Sequence, residues 1–107
     1  MEILDLSLTY HWYDMIASGE KKEEYRDIKK QFYISRLIKN KKMSDTNEFR
    51  HYDAVRFHRG QGGKTTMLVE CKGIYIGYGK QEWGALPNVI YFVIKLGNFL
   101  EKNGCKN

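Results

Sequence analysis

The sequence has one proline, two cysteines, and no apolar run approaching the roughly 20 residues needed to cross a bilayer. Each shortage excludes a class of protein. With 42% hydrophobic and 14% aromatic residues beside that single proline, the chain is neither collagen-like, nor of low complexity, nor wholly disordered. Cys71 lies in an apolar run and Cys105 near the polar end, which gives neither a disulfide framework nor a closely spaced pair of metal ligands. Both read as reduced thiols. The longest apolar stretch, Val89 to Ile94, is strand-sized. The opening Met-Glu-Ile-Leu-Asp-Leu-Ser-Leu lacks the basic region and long apolar segment of a signal peptide, so the expected setting is cytoplasmic, with no membrane partner.

What is present is a chain of 107 residues with 18 Lys and Arg against 13 Asp and Glu, a formal charge of +5. A chain of this length buries roughly 65% of the surface its unfolded form exposes, enough for one core and one domain. The charge alone implies only weak attraction to polyanions.

Leu4, Leu6 and Leu8 alternate with Asp5 and Ser7, the period of a half-buried strand. Thr9 can cap a short helix from Tyr10 to Ser18 in which Trp12, Met15 and Ile16 share a face, and Gly19 supplies a left-handed stop. Glu24 and Arg26 point the same way if the next segment is extended. Asp27 can then cap a second helix, about Ile28 to Lys39, whose expected buried set is Phe32, Ile34, Leu37 and Ile38. The polar segment from Met43 to Glu48 reads as a surface loop.

From Tyr52 onward the pattern becomes β-rich. Val55 and Phe57 alternate with Arg56 and His58, and the glycine-rich stretch Arg59 to Lys64 joins this strand to a second one. In the second strand Met67, Val69 and Cys71 share a face, whereas Ile74 and Ile76 have the opposite parity, so a bulge is expected at Gly73. Tyr91 to Leu96 reads as a last strand, and residues 98–107 as a weakly helical C-terminal tail. The order predicts an α+β fold with a small closed or nearly closed sheet, and the absence of crossover helices in the second half disfavours a doubly wound parallel sheet.

Several motifs could carry chemistry. Gly63-Lys64-Thr65 resembles the end of a phosphate-binding P-loop, but the first glycine of that pattern would fall at His58 and a strand, not a helix, follows. A hairpin tip is the simpler account. His11, His51 and His58 have no ligand spacing with each other or with the cysteines, so no metal and no cofactor is implied. His58 and Cys71 could still approach across the two strands.

The stretch from Gly19 to Arg26 is more informative. One account is a solvated, charge-alternating turn and edge strand. The other is a cluster in which Lys21 and Arg26 bind a phosphate while Glu24 accepts from a base amino group or orients Arg26. The pattern Gly19-x-Lys21-x-x-Glu24-x-Arg26, following a short helix with Trp12 and Ile16, resembles the G-x-K-x-x-E-x-R signature of the ASCH domain. The likeness covers roughly residues 1 to 97 and extends to the first strand, the Val55 to Phe57 strand and the Tyr91 to Ile94 strand.

That resemblance implies a PUA-like fold, a small β-barrel flanked by two or three helices, and a cleft that binds RNA or a modified nucleotide. Lys21, Glu24 and Arg26 would line the cleft, with Gly19 setting the turn. A second basic group, Arg56, His58, Arg59 and Lys64, would add nucleic-acid contacts beside glycine-rich backbone. Tyr10, Trp12, Tyr25 and Tyr78 are candidate stacking faces, with core packing the alternative for Trp12. Some ASCH relatives are hydrolases, one branch resembling an N4-acetylcytidine amidohydrolase and others ribonucleases. In such an enzyme Lys21 and Glu24 would be the catalytic pair. The amidohydrolases carry a threonine where this chain has Glu24, and their chemistry does not transfer directly. A third reading is a protein-interaction module anchored by Trp83.

Overall fold

The computed structural model describes the backbone of residues 1–103 and the side chains of residues 1–101. Its architecture is α+β. Strand β1 (Ile3–Leu8), helix α1 (Tyr10–Ala17), strand β2 (Glu23–Asp27), helix α2 (Gln31–Leu37) and strands β3 (Ala54–Arg59), β4 (Thr66–Tyr78) and β5 (Ile90–Asn103) follow in the expected order. A short 3₁₀ turn, Gln81–Trp83, lies between β4 and β5.

The sheet order is β1-β3-β4-β5-β2. β1 pairs parallel with β3, and the other neighbours are antiparallel. The alternation in β1 does what its period requires, with Leu4, Leu6 and Leu8 buried against Val55, Phe57, Met67, Val69, Phe92 and Ile94. Burying side chains of this size contributes roughly 1.5–3 kcal/mol each. Tyr13 and Ile16 of α1 and Ile34 and Leu37 of α2 are buried in the same core.

The sheet curls into half a barrel and does not close: β1 and β2 are its two edges, and no backbone ladder joins them. The expectation of a closed or nearly closed sheet is corrected to an open one with a seam. At Gly73, where φ is 148°, β4 shifts register against β5, and Ile74 and Ile76 return to the core side as the parity argument required.

Other boundaries differ. α2 is shorter than expected because Asp27 is the last residue of β2 and accepts from Lys29 N–H in a turn, leaving Lys30 at the helix N-cap. Phe32 is 53% exposed, not buried. β5 continues through Asn103, so residues 98–103 extend a hairpin with β4 where a weakly helical tail was expected. Residues 104–107, including Cys105, lie outside the described residues.

Candidate functional site

The end of α1 sets the geometry of the conspicuous charged cluster. Gly19 takes φ 86°, its N–H donates to Ile16 C=O, and Lys21 N–H donates to Met15 C=O. The chain is thereby turned so that Lys21 enters the protein interior while β2 begins. Glu24 and Arg26, two residues apart on β2, project from the same face of that strand, as their parity predicts.

The three side chains form one chain of charge. Lys21 Nζ donates to Glu24 Oε1 at 2.6 Å and to the Glu23 carbonyl. Arg26 Nε donates to Glu24 Oε2 at 2.8 Å. Arg26 Nη1 donates to Tyr33 Oη and Nη2 to the Ser7 carbonyl, each at 2.9 Å. Lys21 is 2% exposed and Glu24 6%. The Trp12 and Tyr25 rings stand 5.8 and 5.1 Å from the Lys21 ammonium.

Burial pushes the Lys21 pKa below its ordinary value, and the Glu24 carboxylate partly restores it. Tyr25 is pushed upward, chiefly by burial; its hydroxyl donates to Glu23 Oε1 at 2.7 Å and accepts Lys80 N–H at 2.9 Å, tying β2 to the segment before the 3₁₀ turn.

These distances assign different roles to the three signature residues. All three are largely buried; Lys21 borders a separate hollow with Gly19 and Lys22, and Arg26 is the member that lines the larger cleft. This cleft, of about 450 Å³, is also lined by Ser7, Leu8, Phe32, Tyr33 and Gly60. A further hollow of about 330 Å³ shares Ser7, Leu8, Thr9, Arg26 and Tyr33 with it, and is lined also by Glu24, Trp12 and Lys30. The cleft is the seam between the two edge strands, with Arg26 spanning it.

The second basic group is not part of this cleft. Arg56 and His58 project from β3 toward Asp5, with Arg56 Nη1 and His58 Nε2 at 3.5 and 2.8 Å from Asp5 Oδ1. Arg59 forms a two-pronged pair with Asp14 of α1, both contacts at 2.9 Å, and the hydrogen bonds from Arg59 hold the Asp14 carboxyl below the usual range. Lys64 is exposed on the β3–β4 loop. Each arginine meets a carboxylate from a distant part of the chain, which local charge counting does not reveal. The loop's contribution to the cleft is Gly60 and Gln61.

His58 and Cys71 do not meet, because Thr66 is the residue opposite His58 while Cys71 N–H bonds to Asp53 C=O. Among the described residues no group of three or more His, Cys, Asp or Glu is arranged to hold a metal ion. No helix among them is long and apolar enough to cross a membrane.

Of the candidate stacking faces, Trp12 and Tyr25 line the smaller hollow, while Tyr78 lines neither volume. Tyr10 is 60% exposed, with the Arg59 guanidinium 4.2 Å from its ring centre. Sequence reasoning missed Tyr33 and Phe32 as cleft walls. The signal available was Phe32-Tyr33, an adjacent aromatic pair that a short helix cannot bury on both sides. No family model matches the chain, and no curated protein or solved structure matches it.

Proposed function

We propose that the chain is an ASCH-like, PUA-like module that binds RNA or a modified nucleotide in the seam between β1 and β2. The observation that supports this most directly is the Arg26 guanidinium, held by Glu24, Tyr33 and Ser7 at the floor of a cleft walled by Phe32 and Tyr33. A fixed planar cation beside aromatic faces is suited to an anionic ligand carrying a flat ring. The volume, about 450 Å³, is within the range of small-ligand sites. Lys21 supports the site from beneath: its ammonium holds Glu24, and Glu24 holds Arg26.

That arrangement favours binding over hydrolysis. Lys21 has the lowered pKa that a general base needs, but its ammonium is committed to Glu24 and the Glu23 carbonyl inside the protein. The protein-interaction reading is not favoured by Trp83 either, since that ring is half-buried with the Lys80 ammonium 4.5 Å away.

Fluorescence anisotropy with short single-stranded and duplex RNA tests the proposal. Single-stranded RNA is expected to bind more tightly, and Arg26→Ala to weaken it about tenfold or more, the scale of losing a charge-assisted contact. Equal binding by the wild-type and Arg26→Ala proteins would remove the cleft from consideration.

A further inference from the structure

Apart from Arg26, the aromatic wall and the loop residues Gly60 and Gln61, the cleft is bordered by consecutive residues of β1, Asp5 to Leu8, and by Thr9. Which of their peptide groups face it follows from the ladder. The Glu2 carbonyl accepts from Ala54 N–H, and the Leu8 carbonyl accepts from Gly60 N–H. In a parallel pair, alternate residues direct both N–H and C=O to the partner strand. The even-numbered residues of β1 therefore serve β3, and Ile3, Asp5 and Ser7 turn their peptide groups to the open edge. Ser7 shows this directly, since its carbonyl accepts Arg26 Nη2 at 2.9 Å across the seam. With that carbonyl engaged, the stretch of edge that borders the cleft offers Asp5 N–H, Asp5 C=O and Ser7 N–H in that order.

We infer that this edge recognises a nucleobase through the backbone, with Ser7 N–H donating to a ring acceptor and Asp5 C=O accepting from the neighbouring donor on the heterocycle. The inference rests on the reading of the cleft as a nucleotide site and specifies how the base is held. Each common base has an acceptor beside a donor on its pairing edge, which matches a donor beside an acceptor on the strand. Phe32 and Tyr33 supply a wall for the ring face, their own rings 5.3 Å apart and nearly perpendicular.

An extended peptide is the competing occupant of any open strand edge. Inside the cleft the free edge is too short to suit one. Arg26 already occupies the Ser7 carbonyl, and the Thr9 carbonyl is taken by Tyr13 N–H at the start of α1. Within the cleft only Asp5 and Ser7 keep open backbone groups, which suits one ring better than a strand.

The test is a titration of the isotope-labelled full chain, followed by backbone amide NMR, with AMP, GMP, CMP and UMP, with ribose 5-phosphate, and with a peptide of alternating Val and Thr. At least one nucleotide is expected to shift the Ser7 and Asp5 amides, and ribose 5-phosphate is expected to leave them in place. Ser7→Pro removes the proposed donor without removing a ladder bond, because that N–H faces away from β3. It is expected to raise the Kd for that nucleotide about tenfold.

Unmoved amides with all four nucleotides, equal shifts with ribose 5-phosphate, or shifts with the peptide alone would each overturn the inference. So would a folded Ser7→Pro protein with wild-type affinity. If Ser7→Pro does not fold, the wild-type titration decides. The broader reading is judged separately by the effect of Arg26→Ala on single-stranded RNA, so the two can fail independently.

Discussion

Arg26 on one edge strand donates to the Ser7 carbonyl on the other, 2.9 Å away, so one side chain spans the seam where the half-barrel stays open. The same guanidinium bonds Glu24 and Tyr33, a combination that depends on its fork. A lysine has the charge but cannot reach three acceptors in those directions. Arg26→Lys is therefore expected to lose most of the RNA affinity lost by Arg26→Ala. If lysine restored more than half of the lost binding free energy in anisotropy titrations, charge rather than the fork would be the requirement.

Glu24 stands between two cations, and this predicts an order of stability. Glu24→Ala leaves Lys21 and Arg26 without their shared anion in a buried setting, and is expected to cost roughly 3–5 kcal/mol. Lys21→Met leaves Glu24 paired with Arg26 and places an apolar chain beside Trp12 and Tyr25, so it is expected to cost about 1–2 kcal/mol. Urea unfolding of both variants checks the order. Equal losses would mean that Arg26 does not stabilise the Glu24 carboxylate on its own.

Much of this arrangement was legible in the sequence. The period of two over Leu4, Leu6 and Leu8, the glycine stop at Gly19 and the shared parity of Glu24 and Arg26 are local rules, and the structure follows each of them. The depth at which Lys21 lies was not legible, because it depends on Trp12 and Tyr25 closing over it from neighbouring elements. The pairing of Arg59 with Asp14, 45 residues away, and of Arg56 and His58 with Asp5 was hidden for the same reason. Residues 98–103 were misread because Gly97, Asn98 and the charged pair after Leu100 suggest a tail, whereas pairing with β4 supplies the order that composition lacks.

Burial of Lys21 also has a consequence for pH. Its folded pKa lies below the ordinary value of 10.5, so in the window between the two the unfolded chain binds more protons than the folded one. Folding stability from this group therefore rises with pH across that window. Tyr25 acts in the opposite sense, since its raised folded pKa means that stability is lost as pH climbs above 10.0. Comparing wild type with Lys21→Met isolates the lysine. The wild type is expected to gain stability relative to the variant as pH rises from neutral to 10.5, measured by urea unfolding at each pH. A constant difference would show that burial does not lower the Lys21 pKa.

The pair Arg59 and Asp14 leads to a prediction about charge rather than fold. Arg59 lies over Tyr10, next to Gly60 at the cleft, yet its guanidinium is neutralised by two contacts of 2.9 Å to Asp14. Removing the carboxylate as Asp14→Asn leaves a cation at the rim that a phosphate can occupy. Single-stranded RNA is then expected to bind more tightly at low salt, and the plot of log K against log salt to steepen by about 0.7 for one added phosphate contact. The gain should shrink as salt rises, because it comes from counterion release rather than from base contacts. An unchanged slope in Asp14→Asn would mean that the nucleic-acid backbone does not pass Arg59, and would place its path on the Lys30 side of the seam.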